Sequence, residues 1–309
     1  MPVRFTLRQL EYLVAVGEAG SIALAAERVN VSSPSISTAI AQLEQEFGLQ
    51  LFVRRHAQGL SLTEAGRRIV AEARGVLAAT GRLTDVANEI TGAVRGPLTV
   101  GCQQTVAQML MPRLRRGFAD RYPEVEFRQI EGNQADLYEG LRSGAMDAAL
   151  SYEMDIPADL HFLPLIALPP HALLPAGHPL AARKSVTPAE LASHPLVLLD
   201  MPFSGEYFLS VFTRRGLKPR VVERTHDMGL MRAMVANGFG YSIANIRLRS
   251  DVAPDGQPLT IVPIDDPKAP LAALRFGLIL TEGAESARRV RAFADYCGAE
   301  VPGIIGPAG

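Results

Sequence analysis

Two cysteines in 309 residues, Cys102 and Cys297, are too few for a disulfide framework, and neither stands in metal-ligand spacing. They read as buried apolar side chains; a redox switch between them has no other support in the sequence. The start, Met-Pro-Val-Arg-Phe-Thr-Leu-Arg-Gln-Leu, lacks a signal-peptide run, and no uninterrupted apolar stretch approaches membrane-spanning length, so a cytoplasmic protein without membrane association is expected. A formal net charge of −1 excludes nucleic-acid attraction by the chain as a whole and leaves only a local contact surface. Internal repeats and low-complexity segments are absent. His56, His161, His171, His178, His194 and His226 form no H-E-x-x-H motif and no close Cys/His pair. Gly238-Phe239-Gly240 lacks the third glycine of a nucleotide fingerprint, and Ser204 is not in a G-x-S-x-G elbow. A Ser-His-Asp site gathered from distant segments is not excluded, but His226 reads more simply as a polar cap than as a base. No catalytic residue, metal or cofactor is expected.

What is present is a globular composition, 48% apolar and 20% charged, at a length that favours two or three domains. The chain is organised around residues 32–43. Ile36, Ile40, Leu43 and Phe47 recur at helical spacing and face a core, which leaves Ser33, Pro34, Ser35, Ser37, Thr38, Ala41 and Gln42 outward. Ser32 or Ser33 can cap this helix, and Pro34 suits its first turn. Taken alone, such a cluster of short hydroxyls is more simply a loop or a solvated helix start. Its neighbours argue otherwise. Leu7, Leu10, Leu13, Val14 and Gly17 mark a helix over 5–18, Gly20-Ser21 breaks it, and Ile22, Ala25, Ala26 and Val29 mark a second helix. Asn30-Val31-Ser32 is then a tight turn, which completes a helix-turn-helix.

Beyond Phe47-Gly48, the runs Leu51–Arg55 and Leu60–Leu62 read as two short strands around a turn, a wing that places Arg54, Arg55 and possible company from His56 beside phosphates. A surface basic pair is the alternative. Thr63-Glu64 opens a helix to about Thr91, in which Ile69, Ala73, Val76, Thr80, Leu83, Ala87 and Ile90 alternate spacings of four and three. A helix of about 40 Å cannot bury such a seam against its own small domain, so the same helix of a second chain is the expected partner, with intramolecular packing as the alternative.

Leu7-Arg8-Gln9-Leu10, Gly20-Ser21, Ala25-Ala26, Val31-Ser32, Pro34-Ser35-Ile36-Ser37, Ile40, Leu43-Glu44, Phe47-Gly48, Leu51-Phe52, Arg54 and Leu62-Thr63-Glu64-Ala65-Gly66 together resemble the amino-terminal domain of LysR-type transcriptional regulators. The resemblance implies an α/β protein with a winged helix-turn-helix over 1–63, a dimerising linker helix over 64–92, and over 93–309 a two-lobed effector-binding domain of the type II periplasmic-binding-protein kind. It also implies double-stranded operator DNA as partner, a homodimer or homotetramer, a small-molecule effector that alters lobe geometry, and contact with RNA polymerase. Ser32, Ser33, Pro34, Ser35, Ser37, Thr38, Gln42, Arg54 and Arg55 would then meet DNA.

The reading helix departs from the family at two places, with Ser33 where Gln is usual and Thr38 where Arg is common. Gln and Arg are the bidentate readers of adenine and guanine, so the operator bases do not carry over. Ser32, Ser35 and Ser37 can still reach phosphates, and Thr38 can meet a thymine methyl. Over residues 1–63, Arg4, Arg8, Arg28, Arg54 and Arg55 balance Glu11, Glu18, Glu27, Glu44 and Glu46. A formally neutral head binds weakly by itself, and tight binding requires two or more heads on one operator.

Past the Gly92–Gly96 link, strand and helix patterns alternate, as in a mostly parallel α/β sheet. Helices are expected over 206–215, 226–237 and 285–296, and a loose tail over 302–309. Lobe I is expected over about 97–164 and 269–300, and lobe II over about 165–268. Ligands of open α/β sheets bind beyond the carboxyl ends of strands, where helix N-termini aim their N–H groups. Gln103-Gln104-Thr105, Asn133-Gln134, Phe203-Ser204-Gly205 and His226-Asp227-Met228 occupy such places, and each falls where the resembling regulators line their cleft. Helix capping is the simpler account of any one loop. Together they favour a small polar effector, with a carboxylate as one form, although no Arg stands ready to clamp an anion. The rival class is an enzyme or pure binding protein whose head serves protein contacts.

Overall fold

A computed structural model of the protein describes residues 4–55, 59–267 and 269–306, and the chain divides into two compact units at Gly92/Ala93. In the first unit, a capping box between Thr6 and Gln9 starts α1 (Leu7–Ala19), which ends at Gly20 in the left-handed region. The second helix, α2 (Ile22–Arg28), presents Ala25 and Ala26, both buried, and their small size allows the close helix approach the sequence implied. Asn30 makes the turn at φ 52°, a left-handed conformation that Asn tolerates. The third helix, α3 (Ser33–Phe47), buries Ile36, Ala39, Ile40 and Leu43 against α1. An antiparallel hairpin of β1 (Phe52–Arg55) and β2 (Gly59–Leu62) follows, and then the long α4 (Glu64–Thr91).

The second unit holds two lobes joined by two crossings. The first begins with β3 (Gly96–Gln103), α5 (Gln104–Arg121), β4 (Val125–Gly132), α6 (Gln134–Arg142), β5 (Ala148–Tyr152) and β6 (Leu160–Leu168). The chain then crosses into β7 (His171–Pro175), α7 (Pro188–Ala192), β8 (Pro195–Leu199), α8 (Ser204–Thr213), β9 (Arg220–Thr225), α9 (Met228–Ala236), β10 (Ser242–Ala244) and β11 (Leu259–Pro263). It returns through β12 (Leu274–Thr281) to α10 (Arg288–Ile305). The first sheet has the order β4-β3-β5-β12-β6; the second lobe carries β10-β7-β11 and the pair β8-β9. Phe118 of α5 anchors the helical cover of the first sheet, with its ring edge against Phe293 of α10 at 5.2 Å.

Three sequence expectations change here. The sheets are mixed rather than mostly parallel, because the returning strand β12 runs antiparallel to both β5 and β6, and β7 is antiparallel to both its neighbours. Residues 165–168, expected to open lobe II, instead belong to β6, which pairs with β12 in the first sheet, so the crossing lies between Leu168 and His171. The tail expected from Pro302 is helical as far as Ile305: α10 tolerates Pro302 inside it, and Val301, Ile304 and Ile305 are buried. Burial of those side chains outweighs the lost hydrogen bond. The helices expected over 206–215, 226–237 and 285–296 run over 204–213, 228–236 and 288–305.

His171 sits in the central strand of the three-stranded sheet and is 7% exposed. Burial, helped by the Arg247 charge, lowers its imidazole from 6.5 to about 4. The folded chain therefore holds it neutral while the unfolded chain takes up a proton near 6.5, so its contribution is complete above that pH and is lost as pH falls toward about 4. Thermal melts of the wild type should lose stability on the order of 3 kcal/mol across this window from His171 alone. His171→Gln should remove that part of the pH dependence; an unchanged difference between pH 7 and pH 4.5 would refute the assignment.

Candidate functional site

Ser32 is the N-cap of α3. Its Oγ accepts from the Ser35 amide at 3.4 Å and lies 2.8 Å from the Ser35 hydroxyl. Pro34, Ser35, Ser37, Thr38, Ala41 and Gln42 are exposed and Ser33 is half-buried, so the expected face is outward. The members differ in freedom. Gln42 Oε1 accepts from Gln9 Nε2 at 2.8 Å, which holds its side chain toward α1. Glu44 accepts from the Leu51 amide at 2.7 Å and the Phe52 amide at 3.3 Å, and so ties α3 to the start of β1. No local pattern announces that role, because the partners lie seven and eight residues away. The backbones of Arg54 and Arg55 pair with Leu60 and Gly59 at the far end of the hairpin; His56 lies outside the described residues. Glu18 is taken up by Arg74 of α4 at 3.0 Å and by Arg28 at 3.8 Å, which removes one acid from the head's free charge.

At the start of α4, Thr63 Oγ1 accepts from the Gly66 amide and donates to Gln50 O, both at 2.8 Å. Of the seam residues, Ala73 is buried and Ile69 half-buried in the head's own core, alongside Val70 and Leu77. These two positions leave the predicted seam, because the first turns of α4 pack on α1. The remainder is exposed: Val76, Thr80, Leu83, Ala87 and Ile90, with Leu83 at 74% and Ile90 at 81%. Val86, unassigned from the sequence, joins them at 57%. Val76, Leu83 and Ile90 recur every seven residues, the spacing of a coiled-coil seam.

Between the two lobes of the second unit lies a small cavity. Of the expected effector residues, Gln103, Thr105, Ser204 and Met228 line it, and Gln104, Asn133, Gln134, Phe203 and His226 do not. Each of the latter has another occupation. Asn133 caps α6, accepting from the amides of Ala135 at 2.9 Å and Asp136 at 3.1 Å. Gln134 is fully buried and donates to the carbonyls of Tyr152 at 3.0 Å and Met154 at 2.7 Å, fastening α6 to the end of β5. Phe203 takes a left-handed conformation at φ 68° and sets its ring 5.8 Å from that of Tyr138. His226 Nδ1 hydrogen-bonds Asp200 O, and Gln104 Nε2 lies 3.9 Å from Met201 Sδ.

Even Ser204, which lines the cavity, spends its hydroxyl on the turn that starts α8. Its Oγ accepts from the Met201 amide at 3.0 Å and lies 3.1 Å from Leu199 O and from Met201 O. The amides of Ser204 and Gly205 both turn to Met201 O, so this helix start offers little to an anion. Tyr152, Met154, Met201, Tyr207 and Asn245, none of them expected from the sequence, also line the wall. These come from strand ends and from an inward helix face, positions that only the folded lobes bring together. The lining holds no Asp, Glu, Lys or Arg and is mainly apolar, where the sequence raised the expectation of a small polar effector and offered no Arg to clamp an anion. Burial pushes both Cys102 and Cys297 thiols well up, so neither is held as the reactive thiolate.

Residues 7–67 match the family model described as a bacterial regulatory helix-turn-helix protein of the lysR family, and residues 91–302 match the LysR substrate binding domain. The Transcriptional activator protein LysR of Escherichia coli is 30% identical over 251 residues, covering 81% of this chain and 80% of that one. The HTH-type transcriptional regulator CysB of Burkholderia cenocepacia is 31% identical over 231 residues, 74% of each chain. Among solved structures, HinK, a LysR family transcriptional regulator from Pseudomonas aeruginosa, is 35% identical, covers 96% of this chain and 99% of its own, and superposes with a TM-score of 0.63. With both family models matched in order and relatives aligned through head and lobes alike, the chain belongs to the LysR family of transcriptional regulators.

Proposed function

We propose that this regulator places α3 in the major groove, with Ser33, Pro34, Ser35, Ser37 and Thr38 nearest the DNA and Arg54 and Arg55 of the hairpin beside flanking phosphates. Ser32 acts chiefly as a cap, and Gln42 as a side chain positioned by Gln9. In this reading residues 1–63 are the DNA-binding head and 64–92 the linker, which pairs with a second copy along Val76, Thr80, Leu83, Val86, Ala87 and Ile90. Residues 93–309 take up the effector, and the cavity beside Gln103, Thr105 and Met228 receives it. Two dimers assemble into a tetramer on the operator, and effector binding alters contact with RNA polymerase. The protein works in the cytoplasm and performs no chemistry on its ligand.

The observation that carries this reading is the exposed small-residue face of α3, held over the buried Ile36, Ile40 and Leu43 by the Ser32 cap. Small hydroxyls permit close approach but supply no bidentate base reading, so selectivity falls to paired heads and DNA shape. The test is selection of genomic fragments by the purified full-length chain, followed by salt titration of the recovered sites. Discrete, partly palindromic sites are expected, with log K falling by about 0.9 for each phosphate neutralised per unit of log salt. Absent or salt-insensitive retention would sink the reading.

A further inference from the structure

Met228 lines a second recess as well as the cleft cavity. This one, of about 340 Å³, lies inside the range of small-molecule sites. Its walls are Gln108 of α5, Gly229 and Arg232 of α9, and residues of the segment 248–254. Unlike the cavity, it holds a charge. Arg232 follows Met228 by one helical turn, so the two share a face of α9, and the arginine is 3% exposed. Its Nη2 donates to Ser250 O at 2.6 Å and to Val252 O at 3.1 Å, which pins the 250–252 segment to the helix. That duty occupies one guanidinium nitrogen of three. Nε and Nη1 meet no acceptor among the described residues, and no carboxylate there forms an ion pair with the group.

A guanidinium stays protonated in a protein, and a buried charge without a counter-ion bears a desolvation cost that pairing would offset. Burial holds the pKa of Arg232 below its ordinary value, against the opposing charge of Asp251. Arg247 adds to the positive field, since its charge and that of Arg232 both act on His171. Two further features suit an anion. The first turn of α9 meets the recess at Gly229, where helix amides and the dipole favour negative charge. Asp227 caps that turn through the Leu230 amide and is not part of the lining. Gln108 comes from the other lobe, exposed and with its side-chain amide bound to nothing among the described residues. We infer that this recess is a second ligand site, separate from the cleft cavity, and that it takes a small oxyanion, carboxylate or inorganic, held between Arg232 of one lobe and Gln108 of the other. The sequence concealed it because Arg232 lies inside a helix, away from any loop. An anion there ties the lobes together beside Met228, and so acts on the cavity wall without entering the cavity. The site does not depend on the cavity being the effector site.

The test titrates the full-length protein with sodium acetate, phosphate and sulfate at constant ionic strength, with chloride as the balancing ion, by calorimetry and thermal melts. At least one oxyanion should bind saturably and, at ten times its Kd, raise the melting temperature of the lobes by about 3–6 °C. Whether acetate or an inorganic anion binds more tightly tells the organic source from the inorganic one. Gln108→Glu sets a carboxylate of nearly the same size across from Arg232, so it should weaken oxyanion binding by about tenfold or more and raise the melt of the anion-free protein. Arg232→Met should remove saturable binding altogether. If the loss of its two carbonyl bonds unfolds the lobe, Gln108→Glu decides alone. Absence of saturable binding by all three anions overturns the inference. So does a shift of equal size in the wild type and Gln108→Glu, which is what general salt exclusion from the surface produces.

Discussion

Gly66→Ala is expected to lower the melting temperature of the head by roughly 10 °C and to abolish operator binding at ordinary protein concentrations. A Cβ at this position would land on the Leu51 carbonyl oxygen, far inside contact distance, and 3.1 Å from Leu62 Cδ2. The first and nearer obstacle is backbone, not the end of a flexible side chain. Leu51 is fully buried, and its carbonyl accepts from the Thr63 amide, so it cannot swing aside without breaking the joint between hairpin and helix. The first turn of α4 would have to lift away, taking the Thr63 cap with it. Overpacking of this kind costs about 1–3 kcal/mol, a large fraction of what a small domain has. Circular dichroism melts of the full-length protein should show the early transition displaced and the unfolding of residues from Ala93 onward in place. An unshifted head transition would mean that α4 does not approach Leu51 this closely.

Leu83→Asp combined with Ile90→Asp should convert the protein to monomers and weaken operator binding by about a hundredfold or more, since two linked heads gain from effective concentration what single heads lack. Both side chains are exposed in the single chain, so the substitutions remove no intramolecular packing and the head should melt as in the wild type. Two carboxylates in an apolar seam meet their symmetry mates or must be desolvated, and either is costly. Light scattering coupled to gel filtration reads the oligomer, and a gel shift reads affinity. A variant that stays dimeric and binds normally would move the interface elsewhere. The formal neutrality of residues 1–63 makes the pairing matter more, because a single head has few cations to hold DNA.

The head was legible in the sequence because its determinants are local. Caps at Ser32 and Thr63 and a seam in which Val76, Leu83 and Ile90 recur every seven residues are patterns within one element. What periodicity could not reveal is which turns of α4 serve the head and which serve a partner; Ile69 and Ala73 continue the same rhythm yet are consumed by α1. The effector lobes were legible as alternation of strand and helix, but strand direction was not, since β12 returns from a distant crossing and pairs antiparallel with β5 and β6. The cleft was least legible. Polar loop residues such as Asn133 and Gln134 looked like ligand contacts and turned out to hold helix α6, while Asn245 and Tyr207, in segments without any loop signature, form the wall.

The bond from Glu44 to the amides of Leu51 and Phe52 means that the reading helix and the hairpin cannot be adjusted separately. They behave as the two jaws of a fixed-gap caliper: the distance from groove to flanking backbone is set by the protein, and the duplex must match it. Sequences whose local width or bendability already suits that gap are bound without distortion, and others bear the cost of being reshaped. In the proposed docking, a carboxylate committed to two backbone amides thereby takes part in choosing among them.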